Sequence, residues 1–172
     1  MTGMTTDAPK HPISQICIVV RDIDASMEEY SRRLGWGPWN VYEYGPPLLH
    51  DTYLRGEPEP YTMIGAETKV GDMGFELIQP TSGRSIYQEF LDKHGEGVQH
   101  IAVMKHSPAE SDEFIADLGV PKLMGGFIGE SIEFYYLDTE SPFKIVIESG
   151  TGHAIELKPT RVFDIAKPGY RG

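Results

Sequence analysis

The chain has 172 residues, of which 40% are hydrophobic and 24% charged, and a formal net charge of −11. This composition excludes an extended disordered chain, and the acidic balance speaks against nucleic acid or an anionic membrane as the main partner. The single cysteine, Cys17, excludes an intramolecular disulfide, and its position in an apolar stretch predicts a buried, inert thiol. Since no apolar run is long enough to span a membrane and the polar N-terminus lacks a hydrophobic signal segment, we expect a cytoplasmic protein.

The first elements follow a polar N-terminus, residues 1–10, which is predicted to be disordered. The apolar segment 13–20 predicts a strand, and apolar residues at helical spacing predict a helix near residues 25–34. Asp22 or Asp24 provides its N-cap, and the glycine that follows the helix is a natural stop.

Residues 36–62 are rich in glycine, proline and aromatic side chains. This composition favours one short strand and a long ordered loop of the kind that often lines a site. A capping box formed by Ser85 and Gln88 then predicts a short helix that ends at Gly95. Between the loop and this helix, strands are expected over residues 62–70 and 74–79.

The same order of elements recurs in the second half of the chain. The segment GVQHIAVM predicts a strand, and the next helix has Ser107 as N-cap, Pro108 at its first position and Gly119 at its end. Three further strands are expected near residues 122–124, 133–137 and 143–148.

Near-constant offsets between the halves indicate an internal duplication. His100 lies 85 positions after Gln15, and the Leu-Gly pairs that end the two helices are 84 positions apart. The sequence therefore predicts an α+β fold with two βαβββ modules. The predicted organisation is a disordered N-terminus (1–10), a first module (11–80), a linker helix (81–96), a second module (97–156) and a C-terminal extension over the surface (157–172).

Four polar residues interrupt otherwise apolar strands: Gln15, Glu76, His100 and Glu148. Each alone has an ordinary explanation, namely a solvent-facing glutamate, a hydrogen-bonded core histidine or a glutamine at a polar strand edge. As a set they are symmetric, because Gln15 and His100 lie in the opening strands of the modules, and the two glutamates lie in the closing strands. A buried carboxylate must be paired or bound to a metal, so the modules would supply two ligands each to one centre.

One nitrogen and three oxygen ligands suit a divalent metal ion such as Zn²⁺, Ni²⁺, Co²⁺, Mn²⁺ or Fe²⁺. Because oxygen ligands dominate the set, we expect an open octahedral site rather than a closed structural zinc site.

Several segments between residues 13 and 149 resemble the vicinal oxygen chelate superfamily, which includes glyoxalase I, methylmalonyl-CoA epimerase, extradiol dioxygenases and bleomycin resistance proteins. ISQICIVVRDIDASMEEYSRRLGW resembles the opening strand and helix of the family, and IVIES resembles its closing strand with a glutamate ligand. FELIQPTSGRSIYQEFLDKHGEGVQHIAV is most similar to methylmalonyl-CoA epimerase. The resemblance implies a curved, cup-like mixed sheet around the metal site, and a homodimer.

The resemblance also implies a metal-dependent isomerase or lyase, most like methylmalonyl-CoA epimerase, that transfers a proton α to a carbonyl through a metal-stabilised enolate. Its substrate would be a small carbonyl compound or thioester. The ligand order Gln, Glu, His, Glu is that of human-type glyoxalase I, so lactoylglutathione lyase-type isomerisation is the alternative. Gln15 stands where extradiol dioxygenases have a histidine, which disfavours a dioxygenase, and four intact ligands disfavour a non-catalytic small-molecule binding protein.

Within this chemistry, Glu148 is the expected base, and Glu76 or water would return the proton on the other face. His50 could act as an acid or base or bind substrate, against the simpler role of a hydrogen bond that orders its loop. Three aromatic residues of the loop could line the pocket: Trp39, Tyr44 and Tyr53. The remaining histidines are expected at the surface or in the N-terminal tail: His11, His94, His106 and His153.

Overall fold

The computed structural model describes residues 9–105, 107–151 and 157–166, which form one mixed sheet of 11 strands with four helices packed on it. The strands are β1 Gln15–Val19, β2 Trp39–Tyr44, β3 Leu49–Leu54, β4 Glu57–Pro58, β5 Thr62–Val70, β6 Met73–Ser82, β7 Gly97–Ala102, β8 Lys122–Ile128, β9 Ile132–Leu137, β10 Val146–Thr151 and β11 Arg161–Phe163. The helices are α1 Ile23–Leu34, α2 Ile86–His94, α3 Pro108–Leu118 and α4 Glu140–Phe143. None of these helices has the length and apolar character needed to cross a membrane.

The sheet is pseudo-symmetric about its two central strands. Its order is β11-β2-β5-β6-β1-β7-β10-β9-β8-β3-β4, with β1 antiparallel to β7. On one side β6 runs parallel to β1, and on the other β10 runs parallel to β7. Strands β1, β6, β5 and β2 are thus matched by β7, β10, β9 and β8, which confirms the α+β fold built from two βαβββ modules.

The strand register superimposes the two modules at the polar positions. Cys17 on β1 pairs with Glu76 on β6, and Ala102 on β7 pairs with Glu148 on β10. Ala102 lies 85 positions after Cys17, the same offset that relates Gln15 to His100. A rotation that carries β1 onto β7 therefore carries Glu76 onto Glu148.

The helices begin and end where the capping residues predict. Ser85 accepts a hydrogen bond from the backbone N–H of Gln88 (3.2 Å), and Ser107 accepts one from Glu110 (3.3 Å). The predicted N-cap of α1 is Asp22 rather than Asp24, since its carboxylate accepts from the Ala25 N–H at 3.0 Å. Gly35 ends α1 with a φ of +70°, a left-handed conformation that glycine adopts without steric cost.

The two faces of the sheet bury different helices. Helices α1 and α3 cover one face, where they pack on residues such as Leu77 and Tyr135. Helix α2 packs on the other face against a cluster that includes Cys17 and Tyr136. Because side chains alternate along a strand, Cys17, Glu76 and His100 all belong to this second face.

The long loop predicted over residues 36–62 contains three strands instead of one. Strand β2 joins the first module as its edge, whereas β3 and β4 form a hairpin that pairs with β8 of the second module. The sequence conceals β3 because polar residues occupy its centre and two consecutive prolines precede it. Proline runs ordinarily indicate a loop.

The strand predicted over residues 143–148 is also displaced. Helix α4 occupies Glu140–Phe143, and Lys144 follows it with a φ of +63°, so β10 starts only at Val146. The hydroxyl of Thr139 fixes this change of direction, because it donates to the Ile145 carbonyl (2.9 Å) and accepts from the Ile147 N–H (2.8 Å).

The C-terminal extension is anchored by β11, which pairs with β2. The predicted disorder of residues 1–8, and the expected exposure of His106 and His153, lie outside the described residues.

Gly150 tests how closely β9 and β10 approach each other. A Cβ atom at this position would lie 2.2 Å from the Glu133 carbonyl oxygen, which is backbone and cannot move freely. We expect Gly150→Ala to lower the free energy of unfolding by about 2–3 kcal/mol, as overpacking does. Urea unfolding measures the change. Gly97→Ala is the matched control, since its Cβ would meet only Phe90 at 3.9 Å. Equal effects of both substitutions would contradict the close approach.

Candidate metal centre

The structure brings three of the four predicted ligands together at the centre of the sheet. The Nε2 atom of His100 lies 3.1 Å from Glu148 Oε2 and 3.6 Å from Glu76 Oε2. His100 is fully buried, and the side chains of Glu76 and Glu148 are only 9% and 14% exposed. One imidazole thus lies between two carboxylates that come from the two modules.

A β-bulge at Gln99 fixes the orientation of the His100 ring. Cys17 pairs with His100 and the next residue, Ile18, pairs with Val98, which leaves Gln99 as an extra residue in β7. The Gln99 Oε1 atom lies 2.6 Å from His100 Nδ1. Because a carboxamide oxygen can only accept, Nδ1 carries the proton in this contact, and Nε2 is the nitrogen that faces the glutamates.

Glu148 is held by one of its two oxygens. The Tyr136 hydroxyl donates to Glu148 Oε1 at 3.3 Å, and the Tyr87 hydroxyl donates to Tyr136 at 2.6 Å. Both tyrosines are buried. The other oxygen, Oε2, is the one that approaches His100.

Two buried polar atoms at this centre have no hydrogen-bond partner among the described residues, namely His100 Nε2 and Glu148 Oε2. Their 3.1 Å contact therefore lacks the alignment of a hydrogen bond. Two ligand atoms that each lie about 2.0–2.2 Å from one metal ion are roughly 3–3.5 Å apart. The spacing and the donor chemistry thus fit a divalent cation shared by His100 and Glu148, and Glu76 Oε2 lies 3.6 Å from the same His100 nitrogen.

The ionisation of this cluster depends on its burial. Burial alone would lower the pKa of His100, but the adjacent Glu148 and Glu76 carboxylates outweigh it and raise that pKa to about 9. Burial raises the pKa of Glu76, and Glu148 raises it further, whereas His100 opposes this shift. Without a metal ion, a proton on His100 therefore supplies the positive charge that the two carboxylates need.

Residues paired directly across neighbouring strands form a row of the sheet. The fourth predicted ligand, Gln15, lies in the next row on the same face of the sheet as the row that contains Glu76, Cys17 and His100. It pairs with Gly74 on β6 and with Ala102 on β7, and Ala102 in turn pairs with Glu148. A Cβ at position 74 would come within 3.2 Å of Gln15 Cβ, so the glycine leaves space for this side chain. Metal binding by Gln15 stays a prediction.

Cys17 is fully buried, as predicted, and lies in the row of His100 and Glu76. The three residues offer ligand atoms that lie within 4.8 Å of one another. Burial raises the pKa of the Cys17 thiol, and the Glu76 and Glu148 carboxylates raise it further.

His50 is engaged elsewhere. Its Nδ1 contacts the Asp51 carboxylate at 2.8 Å, and its Nε2 lies 2.8 Å from the Gly129 carbonyl oxygen. These contacts join β3 to the turn after β8, which matches the simpler role of an ordering hydrogen bond. Of the aromatic residues expected to line a pocket, Trp39 is fully buried under α1 instead.

Glu67 is a further acidic residue that sequence analysis missed. It pairs with Glu76 across β5 and β6, and burial, followed by Glu76 and Glu148, raises its pKa to about 8. It lines a cavity of about 660 Å³ together with Tyr42, Tyr44 and Lys158. A Cβ atom placed at Gly65 would lie 2.9 Å from the Tyr44 ring and 3.7 Å from Glu76 Oε1. Tyr44, which lines the cavity, is therefore close to Glu76, and the cavity adjoins the metal centre.

Residues 14–130 match the family model of the glyoxalase/bleomycin resistance protein/dioxygenase superfamily. The chain belongs to this superfamily. The match spans the opening strand, both longer helices and the strands up to β8, and thus includes Gln15, Glu76 and His100. Curated protein sequences give no significant match.

Several solved structures share the fold of the chain. A hypothetical protein from Bacillus halodurans is 19% identical with a TM-score of 0.63, over 84% of this chain and 96% of its own. Methylmalonyl-CoA epimerase from Mycobacterium tuberculosis is 17% identical with a TM-score of 0.58, over 86% and 94%. A Streptomyces coelicolor methylmalonyl-CoA epimerase variant in complex with 2-nitronate-propionyl-CoA is 24% identical with a TM-score of 0.58, over 86% and 98%.

The raised pKa of His100 predicts how the metal-free protein responds to pH. The folded pKa of about 9 exceeds the ordinary 6.5, so the stability that protonated His100 contributes is complete below about pH 6.5 and is lost as pH rises through 9. We expect NMR titration of metal-free protein to find His100 still protonated at neutral pH. Glu148→Gln should lower the midpoint, whereas Glu130→Gln, at an exposed turn, should not. A titration midpoint of His100 near its ordinary value of 6.5 in the parent protein would contradict the raised pKa.

The contact between Gln99 and His100 predicts a loss of metal affinity in Gln99→Leu. This variant removes the oxygen that fixes the His100 ring, and loss of such a partner typically weakens metal binding 10- to 100-fold. Calorimetric titration of metal-free protein with Zn²⁺ measures the change. Gln88→Leu is the matched control, since its amide bonds Asp92 on the surface of α2. Equal affinity of both variants would contradict a role for Gln99.

Proposed function

We propose that the chain is a divalent-metal-dependent isomerase of the epimerase type, which transfers a proton α to the carbonyl of a small thioester or ketone. The observation that carries the proposal is the buried His100 between two carboxylates, with its Nε2 and one oxygen of Glu148 unpartnered. Membership of the superfamily and the shared fold with methylmalonyl-CoA epimerases support this reaction class. His100, Glu76, Glu148 and Gln15 would hold the metal.

A divalent cation held by these residues would polarise the substrate carbonyl and stabilise the negative charge of an enolate. Glu148 would give up its place at the metal when substrate binds and take the α-proton with its Oε2, while the Tyr136 hydroxyl holds the Oε1 atom in position. Glu76 returns a proton from the other side of His100. The pseudo-symmetric placement of the two glutamates supports proton transfer at two faces of a planar intermediate.

Glu67 is a second candidate for the returning acid. A carboxyl group with a pKa of about 8 keeps its proton at neutral pH and can donate it. Its place in the wall of the cavity gives it access to a substrate. His50 has no role in the proposed reaction, because both of its ring nitrogens are occupied.

The second candidate function is the isomerisation of a glutathione hemithioacetal, as in glyoxalase I. The observation in its favour is the ligand set, which has a glutamine at position 15 and a glutamate at position 76. Both reactions move a proton next to a carbonyl, so the two candidates differ in the substrate rather than in the centre.

The test is exchange of the α-proton with solvent. Metal-loaded protein is incubated in D₂O with methylmalonyl-CoA or with the hemithioacetal of methylglyoxal and glutathione, and deuterium incorporation is followed by mass spectrometry. We expect exchange with one of them, and Glu148→Gln should reduce it by about 10²- to 10⁴-fold, as loss of a general base does.

Glu130→Gln is the control for this variant, because Glu130 is an exposed turn residue. Metal content is measured for both, so that loss of the ion is separated from loss of the base. Full exchange activity in metal-loaded Glu148→Gln would refute the assignment of the base. Oxygen consumption with catechols and no exchange would instead indicate a dioxygenase, and absence of metal binding would indicate a binding protein.

A further inference from the structure

Cys17 lies between two of the proposed metal ligands in the sheet. It is the β1 partner of Glu76 on β6 and of His100 on β7. Side chains of directly paired residues project in parallel from the same face, and a sulfur on the middle strand therefore lies beneath the two longer side chains. The Cys17 Sγ atom and ligand atoms of Glu76 and His100 are within 4.8 Å of one another.

A second observation points to a ligand at this position. His100 Nε2 belongs to a fully buried ring and has no hydrogen-bond partner among the residues that the structure describes. The Nδ1 atom of the same ring is bound to Gln99. The free nitrogen lies on the side of the glutamates, in the row that also holds Cys17.

We propose that Cys17 is a ligand of the metal ion, so that the centre is a mixed nitrogen, sulfur and oxygen site. The inference rests on the proposed metal dependence and extends it to a residue outside the Gln15, Glu76, His100 and Glu148 set. On binding, the S–H bond breaks, the sulfur lone pair bonds to the cation, and the proton passes to the buffer. No electron is transferred in this step.

A sulfur ligand changes which metal the site prefers. Thiolate ligands favour borderline and soft ions such as Zn²⁺ and Co²⁺, whereas Mg²⁺ and Mn²⁺ prefer oxygen ligands. A Zn–S bond is about 2.3 Å and a Zn–N bond about 2.0–2.1 Å, so sulfur and nitrogen bound to one ion are roughly 3.5 Å apart. The ligand atoms of Cys17, Glu76 and His100 lie within 4.8 Å of one another, so small side-chain rotations would bring them to this separation.

Co²⁺ titration of metal-free protein tests the proposal, because thiolate ligation gives Co²⁺ an intense sulfur-to-metal absorption band in the near ultraviolet. The chain has one cysteine, so such a band reports Cys17 alone. We expect one Co²⁺ per chain with this band in the parent protein. Cys17→Ser and Cys17→Ala should lose the band and bind Co²⁺ at least 10-fold more weakly, while Gln15→Ala should keep the band.

The outcomes separate this inference from the proposed function. If the parent protein binds one Co²⁺ without the band, Cys17 is not a ligand and the metal-dependent reaction stands. If neither Co²⁺ nor Zn²⁺ binds, the proposed function fails together with the inference. Should either cysteine variant fail to fold, the spectrum of the parent protein still decides. Metal selectivity is a further readout: Cys17→Ser should lower the ratio of Zn²⁺ affinity to Mn²⁺ affinity by at least 10-fold.

Discussion

The balance of charge around His100 is the constraint on which the rest of the structure depends. Two carboxylates and one imidazole are removed from water at the centre of the sheet, where an uncompensated negative charge costs several kcal/mol. Positive charge, from a proton on His100 or from a bound cation, is what makes the arrangement stable. Under the proposed function, the cation that relieves the repulsion between the carboxylates would also polarise the substrate.

Duplication explains how such a cluster is assembled from a short chain. The two modules meet at β1 and β7, so the polar positions of both are brought to the centre of the same sheet. The symmetry is broken where the chemistry requires it. Gln99 forms a bulge beside His100, and Cys17 has Ala102 as its counterpart. These two departures from symmetry, rather than the repeat itself, distinguish the surroundings of His100 from those of its counterpart Gln15.

Much of the fold could be predicted from local signals. Ser85, Ser107 and the glycines after α1 and α3 mark helix ends that the structure reproduces, because capping depends on adjacent residues. Glu76, His100 and Glu148 could be identified because a charged residue in an apolar strand has few inexpensive explanations. Strand β3 could not, since its partner β8 lies far away in sequence and its own polar centre resembles a loop.

Three residues close to the site could have been found from the sequence to different degrees. Glu67 precedes Thr68 and Lys69 and therefore resembles the exposed side of a strand, and only the pairing with Glu76 reveals its partial burial. Gln99 did leave a signal, because two adjacent polar residues in GVQHIAVM break the alternation of a regular strand and indicate a bulge. Cys17 left none, since a buried thiol is as apolar as its neighbours until its cross-strand partners are known.

The hairpin of β3 and β4 makes the two modules interdependent for folding. It leaves the first module between β2 and β5 and completes the outer edge of the second by pairing with β8. A fragment of the first module alone would therefore carry an extended hairpin with an open row of backbone donors and acceptors, while a fragment of the second would present the matching edge of β8. We expect fragments of this kind to complement each other through this edge. The hairpin thus ties the two duplicated units into one sheet.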